Sequence, residues 1–230
     1  MRAFFDIDSQ LDFMKSDGAL YVPGAEEKIA KVRELTELAT KYGIQILGSV
    51  DEHYGDEAHK DVEGELKRWG GPFPDHCMKD SEGAKKINAD LLVDSQYVDN
   101  PNDLLLVDNP CVNDLSHKYV AKHEVSIKTM DKPTFFRKQT YDMFSNPYVA
   151  NTIRSLGVTE AIVYGVATDY CVLAAVRGLR KMAITTLIVA DAIAAVTPET
   201  GEEAAKKMLR MGTQFISSMA IVDAMAAIYD

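Results

Sequence analysis

Residues 160–193 read EAIVYGVATDYCVLAAVRGLRKMAITTLIVADAI, and the reading of this stretch decides the fold. EAIVYGV (160–166) is an apolar run of strand length. A short polar turn follows, and YCVLAAVRGLRKM (170–182) carries apolar residues at helical spacing. ITTLIVADAI (184–193) is a second strand. Strand, helix and strand, with the strands apolar almost throughout, predict parallel pairing in a sheet covered on both faces. The pattern continues on either side. AFFDID (3–8) reads as a strand, and a Gly/Pro turn follows it over 17–24. Residues 25–42 read as a helix, with Ile29, Val32, Leu35 and Leu38 at three- and four-residue steps. Gly43 stands just past the helix end, and IQILGSVD (44–51) reads as a buried strand. Towards the C-terminus, 199–212 reads as a helix and TQFISSMAIV (213–222) as a last strand or strand-to-helix passage. The middle is less regular: residues 99–133 mix short apolar runs with Asn, Asp and Pro, and read as an insertion or excursion within a single domain spanning 1–230.

A chain of 230 residues can bury a core without covalent staples. Its formal net charge is −10, with 35 acidic residues spread along its length, which disfavours nucleic acid and anionic membranes as partners. No apolar run approaches a membrane span, and the opening MRAFFDIDSQ lacks the basic, apolar pattern of a leader. Three cysteines, a small and odd number, point to reducing cytoplasm rather than a disulfide framework. The expected partner is a small molecule, with a homo-oligomer left open.

In parallel sheets ligands gather at the carboxyl ends of strands. Polar residues cluster there: Asp6 and Asp8 close the first strand, Asp51 the second, and GVATDYC follows the strand at 160–166. Cys171 stands at the start of the expected helix, where unpaired N–H groups lower a thiol pKa and can hold an oxyanion. It reads either as a nucleophile or as a small core hydrophobe. Cys111, with no helix start or basic neighbour, reads as structural. Asp8 leaves an apolar strand partly desolvated, and with a lysine to orient it such a carboxyl can hold a proton near neutral pH. Lys138 reads either as that lysine or as a solvated strand end. Asp51 and His53 share one side of a strand end, and His76, in GGPFPDHCM (70–78), offers a third ligand. Two histidines and a carboxylate form an open catalytic shell for zinc, iron or manganese, or else are surface histidines beside acids. His76 also adjoins Cys77, so that pair reads either as base and nucleophile or as a metal ligand beside a packed thiol.

Together these positions resemble the isochorismatase-like cysteine hydrolases, and within them the nicotinamidases. Asp8-Ser9-Gln10-Leu11-Asp12-Phe13 is similar to the D-x-Q-x-D-F opening, and Asp51-x-His53 with GGPFPDHC to the metal-ligand segments. Lys138 with Tyr141 and Phe144 is similar to the K…Y-S-x-F segment, and GVATDYCV to the nucleophile motif. The resemblance implies a three-layer α/β/α fold on a mostly parallel, roughly six-stranded sheet. It implies Cys171 as nucleophile, Asp8 as base and then acid, and Lys138 as the third catalytic member. The backbone N–H groups of Ala167 and Cys171 would form the oxyanion hole, with a cis Val166–Ala167 peptide. Asp51, His53 and His76 would hold a divalent metal, zinc first and manganese or iron otherwise. Phe13, Phe73, Tyr141 and Phe144 would contact the substrate ring. The implied activity is a cytoplasmic deamidation of nicotinamide to nicotinate within NAD salvage.

The chain departs from the pattern at Glu52 and Tyr54, where Trp and Pro are usual, at Phe73 for Trp, and at Asp142 and Met143. Between Ala84 and Lys138 the chain is also longer than compact members by about thirty residues, an excess that bears on substrate preference more than on chemistry. Another small amide or ureido compound is the alternative substrate, against which the Asp51, His53 and His76 set argues. A receiver-like signalling domain would leave GVATDYC unexplained. A silent relative is at odds with intact Asp8, Lys138 and Cys171.

Overall fold

The computed structural model describes residues 1–101 and 132–229. Seven strands form one parallel sheet: β1 (Arg2–Ile7), β2 (Gln45–Asp51), β3 (Gln96–Val98), β4 (Thr134–Lys138), β5 (Glu160–Val166), β6 (Thr185–Ala194) and β7 (Gln214–Ile216). Their spatial order is β3-β4-β2-β1-β5-β6-β7, so the first strand is the central one. Among the described residues the helices of eight residues or more are α1 (Ile29–Lys41), α2 (Tyr148–Ser155), α3 (Leu173–Lys181), α4 (Pro198–Arg210) and α5 (Ser218–Tyr229).

Alternation along β1 separates the two cores. Phe4 packs on one face with Val32 and Leu35 of α1 and Ile221 and Met225 of α5. Phe5 and Ile7 pack on the other with Val149 of α2, Val176 and Leu179 of α3, and Met208 of α4. The result is the expected three-layer α/β/α arrangement. Leu35 is fully buried, and its truncation to Ala would cost about 3 kcal/mol. Local chemistry sets the helix ends. Thr197 and Thr200 form a reciprocal capping box ahead of α4, whose first residue is Pro198.

Among the described residues the sheet has seven strands, where about six were expected. The added edge strand, β3, is three residues long, too short for any periodic pattern to mark it. The expected excursion within 99–133 falls almost wholly outside the described residues. Among the described residues no helix is long and apolar enough to cross a membrane.

Candidate active site

All strands of a parallel sheet end at one edge, so four neighbours, β4, β2, β1 and β5, deliver their terminal residues side by side. Lys138 ends β4 in register with Asp51, which ends β2. Asp8 follows β1 with a left-handed backbone (φ +46°), a conformation Asp tolerates better than most residues. At the end of β5, Gly165 (φ +115°) passes so close to β1 that a Cβ there would stand 1.9 Å from the Ile7 carbonyl oxygen. The Val166–Ala167 peptide is cis. Next comes a π-type turn, Thr168–Val172, which carries Cys171 before α3 begins.

Lys138 links the group. Its Nζ lies 2.8 Å from Asp8 Oδ2, donates to Asp51 Oδ1, and stands 3.8 Å from Cys171 Sγ. The buried Asp8 carboxylate is faced by the Lys138 ammonium and the Cys171 thiol. Gln10 fixes the frame: its Oε1 accepts from the Asp51 N–H at 2.8 Å, and its Nε2 donates to the Asp51 and Ala84 carbonyls, each at 2.8 Å.

Burial raises the Asp8 carboxyl above its ordinary range, against the pull of Lys138 and with help from Asp51. Burial also opposes the Lys138 charge, but Asp51 and Asp8 overcome it and hold the ammonium well above the usual lysine range. Asp51 is likewise buried, yet Lys138, His76 and His53 hold its carboxyl low. For Cys171 burial dominates: the thiol is pushed well above its usual range, with Lys138 opposing and the two carboxylates adding. This corrects the expectation that a helix start lowers the Cys171 pKa. The thiol sits in a buried turn facing Asp8 and Asp51, and burial with these two acids raises it. The Asp8 carboxyl, raised by burial, stands in one cluster with the Cys171 thiol, the arrangement that a proton transfer between them would need.

His53 and His76 stand beside this cluster, with ring centroids 4.7 Å apart. Asp51, His53 and His76 come together with a fourth donor, Glu65, one ligand atom of each lying within 4.8 Å of the others. Glu65 Oε1 is 3.2 Å from His53 Nε2 and 3.8 Å from His76 Nε2. His76 Nδ1 lies 2.7 Å from the Pro74 carbonyl, which turns Nε2 towards the cluster. His53 is fully buried, and neither ring nitrogen has a well-aligned hydrogen-bond partner among the described residues. A cation would satisfy that orphaned imidazole. Two imidazoles with two carboxylates suit zinc, iron or manganese. The sequence reading missed Glu65, which belongs to no motif. A backbone pairing brings it in: the Phe73 N–H donates to the Glu65 carbonyl at 3.0 Å.

A cavity of about 90 Å³ opens over these groups, lined by Cys171, Ala167, Asp51, Glu65 and His76 on its polar side. Phe13, Phe73, Tyr141 and Tyr170 supply its aromatic walls. Tyr170, which the sequence reading also missed, meets Phe73 at 5.6 Å and Tyr141 at 6.1 Å, edge-on in both cases. Its signal was present, because it immediately precedes Cys171 in GVATDYC. Phe144 corrects an expectation. It does not line the cavity; its ring packs against α3 in the space left by Gly178, where a Cβ would stand 2.0 Å from it. The departures at Glu52, Tyr54, Asp142 and Met143 also lie off the cavity wall. Glu52 pairs with Arg137 at 3.0 Å, Tyr54 stacks on His59, Asp142 accepts from the Phe144 N–H, and Met143 is buried in the core.

Cys77 is fully buried, its backbone N–H donating to Asp12 Oδ2 at 2.6 Å, and burial with nearby acids holds its thiol well above the usual range. His76 turns towards the carboxylates instead.

The isochorismatase domain family matches residues 120–220. The pyrazinamidase of Pyrococcus horikoshii, solved in complex with zinc, is 25% identical, with a TM-score of 0.68 over 94% of this chain and 98% of that one. The nicotinamidase/pyrazinamidase PncA from Bacillus subtilis is 21% identical, with a TM-score of 0.68 over 94% and 99% of the two chains. N-carbamoylsarcosine amidase from Thermoplasma acidophilum is 18% identical, with a TM-score of 0.62 over 94% and 96%. No curated protein matches the chain. With a family-model match across the turn that bears Cys171 and these likenesses over nearly the whole chain, the fold is that of the isochorismatase-like hydrolases.

Proposed function

We propose that this protein is a nicotinamidase, a metal-containing cysteine amidohydrolase that converts nicotinamide to nicotinate and ammonia through a thioester. The observation that carries the reading is the position of the buried Lys138 ammonium, between Asp8 at 2.8 Å and Sγ of Cys171 at 3.8 Å, with Cys171 itself lining a small aromatic cavity. The Pyrococcus and Bacillus neighbours support the substrate class.

The chain's own residues account for each step. Asp8 takes the Cys171 proton, and Sγ attacks the carboxamide carbon. The Lys138 charge and the N–H groups of Ala167 and Cys171 stabilise the oxygen that becomes negative. Asp8 returns the proton to the amide nitrogen, the C–N bond breaks, and ammonia departs. Water then attacks the thioester with Asp8 again as base, and nicotinate leaves with Cys171 restored as a thiol. Phe13 and Phe73 hold the ring, while Tyr141 and Tyr170 close its outer side and exclude water. A divalent metal bound by Asp51, His53, Glu65 and His76 would supply an electron-pair acceptor for a pyridine nitrogen, orienting the ring. The product fits NAD salvage in the cytoplasm, where free thiols stay reduced.

The test is ammonia release from nicotinamide by purified, metal-loaded protein, with nicotinate formed in equal amount. Absence of ammonia from both nicotinamide and pyrazinamide, with bound metal verified, would overturn the substrate assignment and favour another small amide or ureido compound.

A further inference from the structure

Beneath the site lies a second buried ion pair that the reaction does not use. Asp6 and Lys86 are both sealed from solvent, with Lys86 Nζ 3.1 Å from Asp6 Oδ1. The pair is surrounded by neutral partners. Ser9 Oγ donates to Asp6 Oδ1 at 2.6 Å, and Asn88 Nδ2 donates to Asp6 Oδ2 at 3.3 Å and to Thr36 Oγ1 at 2.7 Å. The ammonium also stands 4.6 Å from the centre of the Phe135 ring. Burying two charges is costly, and an apolar pair of equal volume is often as stable, so stability alone gives little reason for this arrangement.

Its contacts converge on Asp8. Lys86 Nζ reaches the carbonyls of Asp6 (3.5 Å) and Ser49 (3.4 Å), and the Ser49 carbonyl also accepts the Asp8 N–H at 3.2 Å. On the other side, Ser9 is held by its side chain on Asp6 and by its carbonyl, which accepts the Ile87 N–H at 2.9 Å. The backbone before Asp8 and the residue after it are therefore both tied to the pair or its segment. Asp8 itself is left in the left-handed conformation that needs such support.

We propose that the Asp6–Lys86 pair, through Ser9 and the Ser49 carbonyl, is a positioning device that fixes the backbone of Asp8 and so aims its carboxylate at Cys171. This rests on the assignment of Asp8 as base to Cys171 made above. A misplacement of about 1 Å in such a group can lower a rate on the order of a hundredfold.

The experiment compares the parent with Asp6→Asn/Lys86→Met, which removes both charges and keeps the volume, and with Ser9→Ala, which removes one tether. The primary readout is the rate at which iodoacetamide alkylates Cys171, followed by peptide mass, because it needs no knowledge of the substrate. The expected result is a fall of about tenfold or more in the double variant, with its melting temperature near the parent's, and of about threefold in Ser9→Ala. With nicotinamide, kcat should fall by a similar factor while KM stays within twofold. Alkylation within twofold of the parent in a folded double variant would overturn the proposal. If that variant does not fold, an unchanged rate in Ser9→Ala overturns it alone. A parent that is inactive on nicotinamide sinks the substrate assignment only, since the alkylation comparison still decides the role of the pair.

Discussion

Cys77 and Cys171 are nearly equal in burial, 0% and 7% exposed, and both thiols are held well above their usual range. They differ in what they face. Cys171 lines the cavity with Lys138 at 3.8 Å and Asp8 beside it, so its thiol faces a carboxylate and an open approach. Cys77 lies in the core behind His76, with Asp12 engaged on its backbone N–H rather than its thiol. Burial alone therefore does not distinguish the two thiols. A neighbouring base and an open approach do.

That contrast can be attacked from both ends. Cys171→Ala should abolish turnover, a loss on the order of 10⁵-fold or more, and no thioester adduct should be seen by mass spectrometry of substrate-soaked enzyme. Comparable turnover in this variant would break the contrast outright. Lys138→Met leaves Asp8 and Asp51 facing each other without their shared cation. It should lower kcat about a thousandfold and stability by about 3 kcal/mol, read from steady-state kinetics and urea unfolding. Cys77→Ala should leave kcat within twofold and cost about 1 kcal/mol of stability, and an inactive variant that keeps its metal would erase the distinction.

The smallest effect extends the comparison to carboxylates. Asp191 is partly buried, which opposes its charge, but the Ser218 N–H and Oγ–H, each at 2.7 Å, outweigh burial and hold its carboxyl below the ordinary range. Asp191→Ala should cost about 1 kcal/mol at neutral pH, as expected for losing an acceptor at a helix start. A carboxyl depressed in the folded state stabilises above its unfolded pKa and ceases to do so as pH falls through the folded value. The difference between parent and variant should therefore shrink under acid, measured by urea unfolding at pH 7 and pH 3. The Asp8 carboxyl is shifted the other way, raised by burial against the pull of Lys138.

The central strands were legible because parallel strands buried on both faces leave unbroken apolar runs, as EAIVYGV and ITTLIVADAI do. Asp8, Asp51, Lys138 and the turn bearing Cys171 were legible through their place at strand ends, and those side chains do lie together. Glu65 was not, because its approach depends on a backbone pairing between Glu65 and Phe73 inside an irregular loop. Phe144 was misplaced because its neighbourhood in sequence suggests the cavity, whereas the gap at Gly178 gives its ring a closer berth against α3. Asp6 looked like one more acid at a strand end. Its burial with Lys86 spans eighty residues of chain and leaves no local pattern.

The sheet order has a consequence for folding. The strands carrying Lys138, Asp51 and Asp8, and the turn bearing Cys171, are consecutive neighbours in space yet lie far apart along the chain. Parallel pairings of this kind close long loops, so they form slowly and late. The reactive thiol thus comes into being only when the centre of the sheet is complete. The return of Cys171 reactivity during refolding should then trail the return of helical signal, giving a clock for the last step of assembly.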